Sequence, residues 1–473
     1  MPESTPNRAI VLALVLTCQL MLVLDVSVVI TALPQIHHVL AFSSTGLSWV
    51  QNAYTLTFGG LLLLGARAGD IFGRRRAFVA GLAVFTAASL AGGLAQSATW
   101  LVGARAVQGI GAAVAAPATL ALLTSAFREG IDRTRAIGLY SAVTGAGGSI
   151  GLLTGGMLTS WISWRWGLFL NVPIGAALML LAPRFLPETE RRRGHFDLTG
   201  ALTSTAGVTS LVYGFVRAAE AGWSNAYTVA SFAASAVLLV VFVLAERAAE
   251  QPITPLHLFA DRTRSSSYLA RLLLVGAVFS MFFFLSQYLQ GVMHYSALRT
   301  GIAFLPQTVV LFAMTRVAPR LTVRFGSERL LVAGLAIALV GMTWLSRLHA
   351  GTPYFPDVAL PLVALGLGTG LAFIPLTAMS IAGVAPQDAG AASGLVNVSQ
   401  QIGASLGVGI LVTVFAAAGG GLAHQVGAAL TGSTVLIGLA LIASLAAVAP
   451  RRRTAEVTRL EQEPELVLEA EAA

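Results

Sequence analysis

Apolar runs of near-constant length recur along almost the whole chain, broken by short polar turns. About 20 consecutive apolar residues, wound as a helix, cross the hydrocarbon core of a bilayer. Such runs fall near 9–30, 47–66, 77–96, 100–124, 136–160, 165–186 and 197–217, then near 226–245, 269–291, 300–320, 329–347, 355–377, 391–416 and 428–449. The pattern predicts an all-α integral membrane protein with 14 transmembrane helices. The first run is too long and too closely followed by others to be a cleaved leader, and it carries Asp25.

The turn between spans 2 and 3 is chemically dense. Gly65-Ala66-Arg67-Ala68-Gly69-Asp70-Ile71-Phe72-Gly73-Arg74-Arg75-Arg76 packs one acid, three glycines and four arginines between two apolar runs. A weaker copy begins at Arg320. Aligning Gly73 with Gly326 also matches Phe72 with Phe325, Arg76 with Arg329, and Val79-Ala80-Gly81-Leu82 with Val332-Ala333-Gly334-Leu335. The chain therefore reads as a duplication. The copies follow spans 2 and 10, eight spans apart where a simple six-helix repeat would give six, so spans 7 and 8 read as an inserted helix pair. This divides the chain into a six-helix bundle over 1–190, the inserted pair with its flanking loops over 191–267, a second bundle over 268–450 and a disordered tail over 451–473. Parallel repeats of this kind place a solute site near the midplane between the halves.

Composition narrows the function. Only 11% of the 473 residues are charged, against about 25% in soluble proteins, and the mean hydropathy is +0.78. The net charge of +8 could suggest nucleic acid, but every basic residue is arginine and they cluster in the turns. With the N-terminus inside, 22 arginines fall on the inner side and only Arg165, Arg217, Arg299 and Arg347 on the outer. That asymmetry predicts a multi-pass protein of the cytoplasmic membrane with both termini cytoplasmic. Cys18 stands alone, which excludes disulfides and thiolate clusters, and the seven histidines fall in or beside turns. Without lysine there is no phosphate-binding P-loop, so direct ATP drive is excluded. No zinc-protease or nucleophile-elbow pattern is present, and neither enzyme chemistry, a metal nor a cofactor is expected.

Ionisable residues deep in a span are costly and point to function. Asp25 is the only carboxylate well inside any span, about 5 residues or roughly 8 Å below the outer end of span 1. Arg105 lies at matching depth in span 4, with Gln108 one turn further in. A carboxylate so placed could load and release a proton as its access or pairing changes; the alternative is a static ion pair. Span 5 carries Gly147, Gly151 and Gly155 at four-residue spacing, with Gly156 beside them, a smooth stripe for close helix approach. Span 13 repeats the theme with Gly403 and Gly407, after the polar Asn397, Ser399, Gln400 and Gln401. Span 9 holds Phe279, Phe282, Phe283, Phe284, Gln287, Tyr288 and Gln290, and the outer end of span 2 holds Trp49, Gln51, Asn52 and Tyr54. These two groups either pack the bundle or line a cavity that stacks planar lipophilic solutes. Arg271 and Arg316 lie towards inner ends and are expected to snorkel.

At these motifs the chain resembles the major facilitator superfamily, in particular its fourteen-helix drug:proton antiporter branch, over roughly residues 8–450. The loop signature is matched at Asp70, Gly73, Arg74 and Arg75, with departures at Ala66 and Ile71. The span-1 signature resembles Leu24–Pro34 and the span-4 signature Arg105–Gly111. The antiporter signature is similar to Gly147–Gly156, with Leu152 where proline is usual. The resemblance implies a conformational latch at Asp70, Gly73, Arg74 and Arg75, with the Asp70 carboxylate facing the start of span 13 near Gly390 in the outward-facing state. It ties Asp25 and Arg105 to proton movement and Gly147, Gly151, Gly155 and Gly156 to antiport. No acid lies between Thr300 and Pro319, where many cation exporters of this branch carry one, which favours neutral, zwitterionic or monocationic cargo.

The sequence thus supports a monomeric, proton-driven exporter of lipophilic drug-like compounds or secondary metabolites. Trp49, Gln51, Asn52, Tyr54, Gln108, Phe283, Phe284, Gln287, Tyr288, Asn397, Gln400 and Gln401 are its candidate cargo contacts. Its rivals are a proton symporter for a small organic solute and a non-transporting receptor or lipid-handling factor on the same fold.

Overall fold

The computed structural model describes residues 8–127, 131–188, 197–249, 252–385 and 388–471, with the backbone alone beyond residue 446. The described residues form helices without strands. The first group is α1 (Arg8–Val39), α2 (Trp49–Phe72), α3 (Arg74–Gly93), α4 (Ala98–Ala126), α5 (Ile131–Trp161), α6 (Arg165–Phe169) and α7 (Asn171–Phe185). A pair follows, α8 (Leu198–Ala221) and α9 (Ala226–Ala248). The second group is α10 (Arg262–Gly291), α11 (Ala297–Ala303), α12 (Leu305–Phe325), α13 (Ser327–Leu345), α14 (Ala359–Ile381), α15 (Ala389–Ala418) and α16 (Leu422–Glu471). Each expected span has a helical counterpart. Spans 6 and 10 are each split near the arginine-poor end, into α6 and α7 and into α11 and α12, the second break falling just before Pro306. Among the described residues, 12 helical segments are long and apolar enough to cross a membrane. Helices α5 and α8 are not among them.

The tail differs from expectation. Residues 451–473 read as disordered, but α16 continues to Glu471. The tail is rich in alanine, glutamate, leucine and arginine, all strong helix formers, and this local preference carries the helix on.

The duplicated turns share one backbone solution. Gly73 and Gly326 join consecutive helices with φ of 102° and 84°, in a region that L side chains rarely adopt. Beyond each turn a matched glycine brings two helices together: a Cβ on Gly81 would meet Gly111 and Ala115 backbone, and one on Gly334 would meet Gly368 and Ala372 backbone. The α3–α4 and α13–α14 pairs are therefore packed by the same device.

One apolar core is drawn entirely from α1–α7. A larger one centres on α10–α16 and takes in the arginine-poor ends of α1, α2 and α4. The two groups meet on that side. Gln290 Nε2 donates to the Thr31 carbonyl (3.1 Å), Leu298 N donates to Ser160 Oγ (3.0 Å), and Thr55 bonds Ser405. Further along, α2 packs on α15, where Gly59 leaves room for Gln401 and Gly394 for Leu63. Helix α8 lies on this α2–α15 seam: Gly60 faces Thr205, Gly409 faces Val212, and Thr413 Oγ1 donates to the Phe215 carbonyl (2.9 Å). Helix α9 packs on α8 and otherwise exposes its apolar surface.

On the arginine-rich face the Asp70 turn is tied to its own half. Arg74 Nη2 donates to Asp70 Oδ1 (3.3 Å). Glu188, which the sequence reading did not single out, accepts from Arg75 N (3.2 Å) and lies 3.5 Å from Arg75 Nε and 3.7 Å from Arg76 Nε. Arg75 also donates to the carbonyls of Pro183 and Leu186 at the end of α7. Among the described residues, no hydrogen bond or ion pair joins Asp70 to the start of α15, where the sequence reading placed its partner, and a Cβ on Gly390 would meet nothing within 4 Å.

Candidate functional site

Helices α1, α2, α3, α4 and α7 bring one polar network into the first core. Helix α4 is started by Ser97, whose side chain caps the Trp100 N–H. Eight residues beyond Ser97, Arg105 is fully buried. Arg105 Nη1 donates to Asp25 Oδ2 at 2.6 Å and to Gln108 Oε1 at 2.6 Å. Its Nε donates to the Val50 carbonyl (3.0 Å), and its guanidinium carbon lies 4.4 Å from the centre of the Tyr54 ring. On the other carboxylate oxygen, Asp25 Oδ1 accepts from Gln108 Nε2 (2.6 Å) and Asn171 Nδ2 (2.8 Å). Ser89 Oγ accepts from the same two amides. Asp25 is 1% exposed.

The arrangement compensates a charge that would otherwise be prohibitive. A carboxylate transferred alone into hydrocarbon loses its hydration, whereas here each oxygen is met by donors and the opposite charge is in direct contact. Asp25 and Arg105 are brought together as their matching depths suggested. Asn171 and Ser89 escaped the sequence reading. Asn171 is the sole asparagine of its span, a signal that could have found it; Ser89 had none, since serine in a span most often bonds its own helix, as Ser89 also does through the Phe85 carbonyl. Replacing Asn171 by Leu removes one charge-assisted bond to Asp25. We expect a loss of about 1–3 kcal/mol in stability, read as a lower unfolding temperature of the purified protein, with Asn171→Ser losing less.

The glycine stripe lies directly behind Asp25. Gly147 faces Val23, Gly151 faces Leu24 and Ser27, and Gly155 faces Val28 and Thr31. A Cβ on Gly155 would fall 2.6 Å from Val28 Cα, so α5 rides on the α1 backbone at that level. Gly156 points elsewhere, against Ala297 and Leu298 of the second group.

The candidate cargo contacts divide. Gln51 and Asn52 are buried with both amide atoms unpartnered, and the Tyr54 hydroxyl is likewise unpartnered. Trp49 packs on Tyr213 of α8, ring centres 6.0 Å apart. Phe283 and Phe284 lie in the larger core, where Phe284 stacks on Phe415 at 5.3 Å. Tyr288 is buried and donates to the His349 carbonyl (2.7 Å), and Gln287 bonds its own helix at Phe283. Packing accounts for this aromatic set in this conformation. Asn397 is exposed, Gln400 accepts from Arg271, and Gln401 packs on Gly59.

Arg271 corrects one expectation. It does not snorkel: it is 4% exposed and bonded to Gln400, Phe373 and Thr377. About 13 Å of α10 separates it from the helix start, and α14 and α15 wall it in. Arg316 is exposed, over Phe312.

With this geometry in place, comparison with known proteins decides the family. The Major Facilitator Superfamily model matches residues 15–408. The chain belongs to the major facilitator superfamily. It is 42% identical over 414 residues to the puromycin resistance protein pur8 of Streptomyces alboniger, covering 86% of this chain and 82% of that one. It is 42% identical over 416 residues to the cephamycin export protein CmcT of Amycolatopsis lactamdurans, covering 87% and 85%. Among solved structures, the peptide transporter POT in complex with sulfate matches with a TM-score of 0.69 at 13% identity, covering 95% of each chain. The nucleoside transporter NupG matches with a TM-score of 0.69 at 10% identity, covering 93% of this chain and all of that one. At such identities these structures speak for the facilitator fold alone.

Proposed function

We propose that this facilitator exports lipophilic, antibiotic-like compounds across the cytoplasmic membrane in exchange for protons. The observation that carries the coupling is the dry network of Asp25, Arg105, Gln108 and Asn171, a carboxylate held with its counter-charge deep in a span. The relatives named for puromycin resistance and cephamycin export support the direction and class of cargo. In this reading α5 and α8 also cross the bilayer, giving fourteen membrane helices, with both termini cytoplasmic and the arginine-rich face inside. Two six-helix halves rock about a central site in a monomer, and no cofactor is needed beyond the proton gradient. The α8–α9 pair rests on the α2–α15 seam without belonging to either half.

The conformation fits the inward-open arm of this cycle. The halves bond each other at the arginine-poor ends, and among the described residues Asp70 bonds only within its own half. Closing the inner side brings Asp70 to the start of α15, where the helix dipole favours an anion. Asp25 takes a proton while reached from outside and gives it up towards the cytoplasm, with Arg105 stabilising the carboxylate that remains.

Everted vesicles test the reading. With an imposed proton gradient, the native chain should accumulate ethidium or another member of a panel of lipophilic compounds and dissipate the gradient as it does so. A panel that includes puromycin and a cephamycin and yields neither flux nor dissipation would reject export.

A further inference from the structure

We propose that Arg271 is an anion-recognition group that binds the carboxylate of an amphipathic solute entering from the arginine-rich face. The inference rests on the exporter reading for the fate of that solute, but the site itself is argued from geometry. Arg271 is 4% exposed, and among the described residues no carboxylate pairs with it. Its partners are neutral: Gln400 Oε1 (3.2 Å), the Phe373 carbonyl (3.2 Å) and the Thr377 hydroxyl. Its Nε is buried and unpartnered. In the first half, the buried Arg105 is neutralised by contact with Asp25. Arg264, buried on the same helix as Arg271 and also without a carboxylate partner among the described residues, instead bonds the Leu258 and Ala382 carbonyls at the helix start. A buried guanidinium left without a counter-charge is an anion site awaiting its anion.

The surroundings show from which side the anion comes. Thr377, next to Arg271 on α14, is exposed, as are Ser393 and Asn397 on α15. Ser393, Asn397 and Gln400 share one helical face, so a polar stripe leads along α15 to the guanidinium. Exposed polar groups at this depth line a hydrated space between the halves rather than lipid. Phe373 lies with its ring centre 5.4 Å from the guanidinium carbon and offers an aromatic wall to the apolar body of the same solute. One cation with neutral neighbours matches one negative charge, which selects a carboxylate over a phosphate dianion. Gln400 and Thr377 hold the donors in place and can be displaced when a carboxylate takes them.

The test is equilibrium binding to the purified full chain in lipid nanodiscs, with no gradient imposed. The probes are rhodamine B, a lipophilic zwitterion with a free carboxylate, and its ethyl ester, which differs by the loss of that charge. The native protein should bind the acid about tenfold or more tightly than the ester, the scale of one charge-assisted contact. Arg271→Gln should reduce the preference to within about twofold by weakening the acid alone. Arg316→Gln, an exposed arginine on α12, should leave both affinities unchanged. Equal affinity of the native protein for the two dyes, or a preference that survives Arg271→Gln, overturns the proposal. Should Arg271→Gln fail to fold, Arg271→Lys is read instead: it keeps the charge but loses the planar fork, and must weaken the acid more than the ester. Equal weakening of both means a structural arginine. Binding preference without gradient-driven export would reject the exporter reading alone, and export of ethidium without preference would reject this site alone.

Discussion

Asp25→Asn is expected to reduce gradient-driven export to the level of vesicles lacking the protein and to lower the unfolding temperature. The reason is geometric. Both oxygens of Asp25 accept: Oδ2 from Arg105, Oδ1 from Gln108 and Asn171. An asparagine amide can accept on one side only, so whichever way it is turned an N–H faces a donor. It also leaves the buried Arg105 without its counter-charge, a change on the scale of about 3–5 kcal/mol for a buried pair broken from one side. The double variant Asp25→Asn with Arg105→Gln removes the stranded charge as well. It should recover part of the stability, with a non-additivity of about 1–3 kcal/mol for residues in direct contact, but none of the coupling. Thermal unfolding and vesicle flux measured on the same preparations separate the two effects. A single Asp25→Asn protein that still exchanges cargo for protons would make this ion pair structural and place the proton on another group.

Gly155→Leu carries the next largest effect. A Cβ there falls 2.6 Å from Val28 Cα and 2.8 Å from the Val28 carbonyl oxygen, and backbone cannot rotate away as a side chain can. Helix α5 must lift from α1, and Gly151, one turn away, loses its seat against Leu24, the residue before Asp25. Overpacking of this kind costs about 1–3 kcal/mol. The larger consequence is on flux, because Gly156 of the same helix meets Ala297 and Leu298 where the two halves touch. A shifted α5 disturbs the Asp25 network and this contact between the halves together, and we expect export to fall at least tenfold. The control is Gly138→Leu on the same helix, where an added Cβ meets nothing within 4 Å. Leucine is the better helix former there, so this variant should fold and export as the native chain does. Equal flux from the two variants would show that the stripe has no role in transport.

The deletion of a charge and the filling of a groove act on one place from opposite sides. Asp25 is held from in front by Arg105, Gln108 and Asn171, and the helix that carries it is held from behind by the glycines of α5. Motion of α5 relative to α1 would therefore reach Asp25 without an intermediary. A helix that contacts α1 on one edge and the second half on the other is placed to link movement between the halves to the state of the carboxylate.

The sequence by itself determined the helices and their order. Length and hydropathy suffice for that, because the bilayer grades polarity along a single axis. It also exposed the duplication, and Gly73 and Gly326 do adopt the same left-handed turn, since only glycine enters that region without strain. Depth was enough to suggest that Asp25 and Arg105 meet. Only the tertiary structure decided which way each helix is turned about its own axis, since a run that is apolar all round carries no azimuthal signal. Asn171 and Ser89 joined the network, Phe284 and Tyr288 turned into the core, and Arg271 turned inward to Gln400 because of that rotation. The latch needed more still. Asp70 and Gly390 belong to different halves, and their distance depends on how the halves are tilted, which no local pattern encodes.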